Sequence, residues 1–246
     1  MADVADRLES VTRDFPRALV YGAGSLTGML TPACGVGDIV DADFDRARIG
    51  RGGRSVVYDE EASPFAPASF DLIVSLLTLH AANDPVGALV QMRAALKPDG
   101  LLIAVLFAGE TLAELRAALY ESEAECAGGV SPRIAPFADV RDLGAALQRA
   151  GLALPVADLD RVRVSYRDPA RLLADLKGMG ETGCLSRRGK GLRRDTLAAA
   201  ARRIAAQEAI TFDLVTITGW APHESQQQPM APGSARQSLK SALEKF

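Results

Sequence analysis

Four short features of the chain combine residue types that do chemistry. The first is a glycine loop, Gly22-Ala23-Gly24-Ser25-Leu26-Thr27-Gly28, directly after the apolar run Arg17–Tyr21. Glycines there let the backbone approach a nucleotide or methionine moiety closely, where a Cβ would collide. An ordinary strand-to-helix turn carries similar residues, so the spacing alone is a weak signal. The second is Asp43, about 20 residues farther on, at the strand end where dinucleotide-type folds hold ribose hydroxyls on a carboxylate. Asp41 shares its face at strand spacing, and a solvated strand-end acid is the plain alternative. The third is Asp59-Glu60, after a third apolar run; an acid there can hold the exocyclic amine of adenine, although DEEASPF also has turn character. The fourth is His80 in SLLTLHAAND, at the end of a fourth run and facing the crevice. It is able to remove a proton or orient an acceptor, while a lone His is more often a packing or hydrogen-bonding residue. The basic stretch Arg187-Arg188-Gly189-Lys190-Gly191-Leu192-Arg193-Arg194 suits an acidic substrate or partner, or a solvated face.

The elements that must position these residues alternate. Arg17–Tyr21, Asp38–Asp43, Ser55–Tyr58, Phe70–Leu77 and Leu101–Phe107 are Val-, Ile- and Leu-rich runs without strict alternation, which predicts parallel strands buried on both faces. Pro85–Leu96 has apolar residues at near-helical spacing and is closed by the turn Lys97-Pro98-Asp99-Gly100. Strand, helix, strand implies a right-handed crossover and a doubly wound α/β sheet. Ala2–Arg13 and Asp139–Ala150 read as further helices, and Arg161–Tyr166 and Thr211–Trp220 as late strands. Between those strands, Pro169–Gly178 and Arg193–Glu208 read as a helical pair capping the carboxyl edge of the sheet. One domain over 1–225 is expected, with the insert at about 167–209 and a partly mobile tail over 226–246.

Bulk properties narrow the function classes. Of 246 residues, 48% are hydrophobic and 24% charged, as in ordinary globular chains. A net charge of −3 does not suit wrapping of nucleic acid. No apolar run reaches the length of a membrane span, and the start of the chain has no signal-peptide pattern. Three dispersed cysteines, Cys34, Cys126 and Cys184, suggest reduced thiols and a cytoplasmic location rather than zinc or disulfides.

The stretch 69–116 resembles the fourth-to-fifth-strand region of S-adenosylmethionine (SAM)-dependent methyltransferases of the biotin-synthesis type. The segments GGVSPR (128–133), GMGE (178–181) and HESQ (223–226) are more specific. With LRRDTLAAAA and ITGWAP they resemble the family of mitochondrial complex I assembly arginine hydroxylases and its bacterial methyltransferase-domain relatives. The resemblance implies a Rossmann-like class I methyltransferase fold: a mostly parallel seven-stranded sheet, helices on both faces and a helical insert before the last strand. It implies SAM as cofactor, beside Gly22, Ala23, Gly24, Asp43, Phe44, Asp59, Glu60 and Ser75, with His80 as catalytic residue and no metal. The implied acceptor is a protein arginine or small molecule, and the implied partner a respiratory-complex subunit. Three departures stand out: Val20 where the family carries an acid, Leu26 where it carries a third glycine, and Ala81 where a Trp follows the His. A Leu at 26 is expected to intrude on the cofactor. Two readings therefore stay open, a SAM-dependent enzyme and a non-catalytic scaffold with a degenerate SAM site.

Overall fold

Residues 1–49, 53–183, 185 and 191–227 are described by the computed structural model. They form one seven-stranded sheet in the order β3-β2-β1-β4-β5-β7-β6. The strands are β1 (Phe15–Tyr21), β2 (Val36–Asp43), β3 (Arg54–Val57), β4 (Phe70–Leu76), β5 (Leu96–Ala108), β6 (Ala153–Val164) and β7 (Ile210–Trp220). The first five are parallel; β7 runs antiparallel to both β5 and β6. Every residue of the central strand β4 is buried, as expected for a strand covered on both faces. The strand order reverses between β1 and β4, so a crevice opens at their carboxyl ends.

Helices α2 (Pro85–Ala95) and α4 (Val140–Arg149) cover one face through Leu89, Met92, Leu143 and Leu147. Their starts are written locally. Asp84 accepts from the Gly87 N–H with Pro85 at the first helical position, and Asp139 accepts from Arg141 and Asp142. The other face is covered more thinly. Helix α1 (Ala2–Glu9) supplies Val4 and Leu8, and the segment after the glycine loop supplies Leu30 and Cys34. The loop and that segment form two short 3₁₀ turns, Gly24–Met29 and Pro32–Cys34, where a strand-to-helix unit would place an α-helix.

A third cluster lies at the carboxyl edge. Helices α3 (Ala113–Ala127), α5 (Pro169–Met179) and α6 (Arg194–Ala205) pack Leu115, Leu119, Leu172, Leu176 and Ile204 onto Phe107 and Phe212. The expected helical pair is thus α5 and α6, and α3 joins it. Helix α3 escaped sequence reading because its apolar residues are spread around the axis. Leu115, Ala118 and Leu119 are buried, and so are Ser122 and Glu123. Ser122 bonds back to the Ala118 carbonyl and Glu123 is neutralised by Arg133, so polar residues occupy a buried face.

The late strand expected over Arg161–Tyr166 runs over Ala153–Val164 as β6, and two further expectations change. Lys97-Pro98-Asp99-Gly100 lies inside β5 rather than before it, as an irregularity with Asp99 at φ 62°, where the register with β4 shifts. His80 does not end β4; the strand stops at Leu76 and His80 sits on a following 3₁₀ turn, Leu79–Ala81. Arg187, Arg188, Gly189 and Lys190 of the basic stretch, Cys184 and tail residues 228–246 lie outside the described residues.

Candidate functional site

A cavity of about 550 Å³ opens at the carboxyl ends of β1, β2 and β4. Asp43, Phe44, Asp59 and Glu60 are on its wall, so four of the eight residues expected around a cofactor come together. Tyr21, Arg48 and Thr78 complete the sheet side, and Met179, Gly180 and Glu181 close it from the cap.

Asp43 ends β2 almost fully buried. Its Oδ1 accepts from the Asp45 N–H at 2.9 Å, whereas its Oδ2 is buried and accepts no hydrogen bond. Arg48 Nε stands 3.4 Å from Oδ2, an ion pair rather than a hydrogen bond. The neighbouring candidate Asp41 plays a different part, accepting from the Thr27 hydroxyl at 3.1 Å and so pinning the 3₁₀ turn after the glycine loop. The ring of Phe44, next to Asp43, is 70% exposed, an uncommon state for a large apolar side chain at a cavity.

Glu60 and Ser75 form a buried knot. Glu60 Oε1 accepts from Ser75 Oγ at 2.9 Å and from Thr78 Oγ1 at 2.6 Å. Burial pushes the Glu60 carboxyl up from its ordinary range, and the two hydroxyls oppose that shift without cancelling it. Ser75 is fully buried and does not line the cavity; its contribution is to Glu60. Asp59 is the exposed member of the turn and caps it through the Glu61 N–H. Tyr21, on the wall, donates to the carbonyl of Tyr58 behind it at 2.8 Å, and burial raises both phenols above the ordinary tyrosine range.

The glycine loop has a packing consequence in the structure. Gly22, Ala23 and Gly24 do not line the cavity. Gly22 has φ +76°, and a Cβ built there would stand 2.5 Å from both the Leu76 carbonyl oxygen and Thr78 Cγ2. The missing side chain therefore lets β1 and the segment after β4 meet, which brings Thr78 onto the cavity wall. Val20 is buried in the core beneath the loop, and Leu26 is 48% exposed on the 3₁₀ turn. Leu26 does not border the cavity beside Asp43.

His80 is held away from the cavity wall. Its side chain is 3% exposed, edge-on to Phe107 with ring centroids 5.2 Å apart and tilted against Phe137. Nε2 meets Glu181 Oε1 and Oε2 at 3.2 and 3.1 Å, and Nδ1 is buried without a hydrogen-bond partner. Glu181, on the cavity wall, is the residue that reading single residues missed. Its signal was the GMGE segment: α5 ends at Gly180 with φ +86°, and that left-handed residue turns Glu181 back onto the sheet edge. Of the other two segments, GGVSPR delivers Arg133 to Glu123. HESQ folds at the opposite end of the sheet, where Gln226 donates to Asp99 Oδ1 and the Ala221 carbonyl.

The comparisons agree with this architecture. A family model described as a methyltransferase domain matches residues 20–104, from the end of β1 through most of β5. The mouse arginine-hydroxylase NDUFAF5, a mitochondrial protein, is 40% identical over 248 residues, covering 94% of this chain and 72% of its own. A malonyl-[acyl-carrier protein] O-methyltransferase of Laribacter hongkongensis is 34% identical over 56% of this chain and 44% of its own. Among solved structures, a candidate methyltransferase of Bacillus halodurans superposes with a TM-score of 0.60 at 12% identity, over 90% of this chain and 98% of the other. That likeness shows the fold, a Rossmann-like class I methyltransferase sheet.

Proposed function

Because this chain belongs to the family of arginine-hydroxylase NDUFAF5, we propose that it is a SAM-dependent enzyme whose cofactor lies in the cavity beside Asp43. The observation that carries this reading is Asp43 Oδ2, a buried carboxylate oxygen with no hydrogen bond on a residue of the cavity wall. Its one partner among the described residues is the Arg48 guanidinium, an ion pair at 3.4 Å rather than a hydrogen bond, and ribose hydroxyls are the donors it lacks. Phe44 offers an exposed ring to the adenine beside that ribose, and Asp59 a free edge to its amine. A cavity of about 550 Å³ is of the size that holds a cofactor of this class. Gly22, Ala23 and Gly24 contribute by shape, Glu60 and Ser75 by holding Thr78 at the wall.

When bound, SAM supplies a methyl group already activated on a sulfonium. The chain's own residues orient the reactants and exclude water. His80 acts through Glu181, holding that carboxylate at the cavity's cap side. The name of the mouse relative supports an arginine as the group acted on. Cys34 and Cys126 are free thiols, which supports a reducing compartment such as the cytoplasm; the relative is mitochondrial, and cell fractionation decides between them. No helix among the described residues is long and apolar enough to cross a membrane.

One observation favours the second reading, a non-catalytic scaffold. Val20 is fully buried at the position where the family carries an acid, so the methionine end lacks that partner. Calorimetric titration with SAM and S-adenosylhomocysteine separates the two. Saturable micromolar binding, about −8 kcal/mol, supports the enzyme. The absence of heat with both ligands rejects it and leaves the scaffold.

A further inference from the structure

A second cavity, of about 570 Å³, lies inside the helical cap. Its walls are Leu115 and Leu119 of α3, Leu172 and Leu176 of α5, Ile204 of α6 and Phe212 of β7. Leu173, Leu192 and Leu197 also line it and are 46%, 37% and 43% exposed, so apolar surface continues to the outside. Contiguous exposed apolar surface of this kind marks a binding site.

The charged side chains on these walls are engaged among the described residues, with one exception. Arg133 donates to Glu123 Oε1 at 2.9 and 2.5 Å. Glu181 is held by His80, and the Thr111 hydroxyl donates to the Ala108 carbonyl. Lys177, in the last turn of α5, makes no ion pair and no side-chain hydrogen bond among the described residues. Among the described residues a ligand therefore meets mostly apolar walls and the unpaired charge of Lys177. Glu181 is on the wall of this cavity and of the cavity beside Asp43, so the two sites share a boundary.

We propose that the cap cavity is a second ligand site, for a molecule with an aliphatic chain and an anionic head, the chain lying between α3, α5 and α6 and the head at Lys177. Most of its burial energy comes from the chain, and the head group sets which amphiphile is taken.

The test uses the full chain and three probes of equal length, decanoate, decanol and decylamine, followed calorimetrically below their aggregation concentrations. Saturable one-to-one binding is expected, in the order decanoate, decanol, decylamine. Along the series hexanoate, octanoate, decanoate the affinity should rise roughly fourfold per methylene, the value for burying one CH₂. Lys177→Glu should weaken decanoate several-fold and leave decanol unchanged. Leu197→Asp, at an exposed wall position, and Ala200→Trp, which fills the interior, should each abolish decanoate binding. Leu197→Asp keeps the test valid if the tryptophan variant does not fold. Non-saturable partitioning, tightest binding by decylamine, or unchanged binding in a folded Leu197→Asp variant each overturns the proposal. A parallel SAM titration keeps the two sites distinct: decanoate binding without SAM binding leaves this site standing and rejects the cofactor reading alone.

Discussion

Glu181 meets His80 Nε2 through both carboxylate oxygens, at 3.1 and 3.2 Å, across 101 residues of chain. The contact joins the end of α5 to the turn after β4, and so ties the cap to the sheet at the boundary of two cavities. Removing the carboxylate leaves a buried imidazole with neither nitrogen bonded. Glu181→Ala is therefore expected to lower stability by about 1–3 kcal/mol, read by urea unfolding. Glu181→Gln should recover part of that loss. Equal stability of Glu181→Ala and the parent would show that the contact does not hold the cap.

Asp43→Asn keeps an oxygen for the Asp45 N–H but removes the charge beside Arg48. The fold should survive, with a melting temperature near the parent's. SAM affinity should fall about tenfold to a hundredfold, the loss of a charged hydrogen bond to a hydroxyl. Parent-like affinity would remove Asp43 from the cofactor site.

Leu26→Gly restores the family's glycine at a position outside the cavity. SAM affinity should not change beyond about twofold, because no wall atom moves. A large gain in affinity would mean that Leu26 does obstruct the cofactor, against its exposed placement.

Gly22→Ala puts a Cβ against the Leu76 carbonyl at a positive φ. The expected cost is about 2–4 kcal/mol, from strain and overpacking together. Gly28→Ala is the control: nothing lies within 4 Å of a Cβ built there, and its effect should be near zero. Chemical denaturation of the two variants side by side measures the difference.

Glu60 carries a pH prediction. Burial raises its folded-state pKa above the unfolded value, so between those two values the folded state holds more protons than the unfolded one. Its contribution to stability is then fully present below the unfolded pKa and is lost as pH rises through the raised folded pKa. Glu60→Gln keeps an oxygen for Ser75 and Thr78 and has no such loss. The variant should gain stability relative to the parent as pH rises from the mildly acidic range to neutrality. A difference that does not vary with pH would place the titration elsewhere.

Local sequence determined the elements whose causes are local. The β4 run carries apolar residues on both faces of the pleat, and Asp84-Pro85 and Asp139 start their helices. Those signals sufficed for the alternating α/β order and for placing Asp43 and Asp59-Glu60 at strand ends. The GMGE segment could be singled out by resemblance, but not assigned a contact. Only the tertiary structure decided that Asp41 serves Thr27 while Asp43 keeps an unbonded oxygen, since both share one face of one strand. It also decided that Gly22 makes room for Thr78, that Leu26 lies outside the cavity lining, and that α3 belongs to the cap. Helix α3 has no apolar stripe because Glu123 is buried against Arg133 rather than exposed. The physical reason is the same in each case. Periodicity and capping act over a few residues, whereas a carboxylate's partner or a glycine's neighbour is set by chain segments that meet only after the sheet has closed.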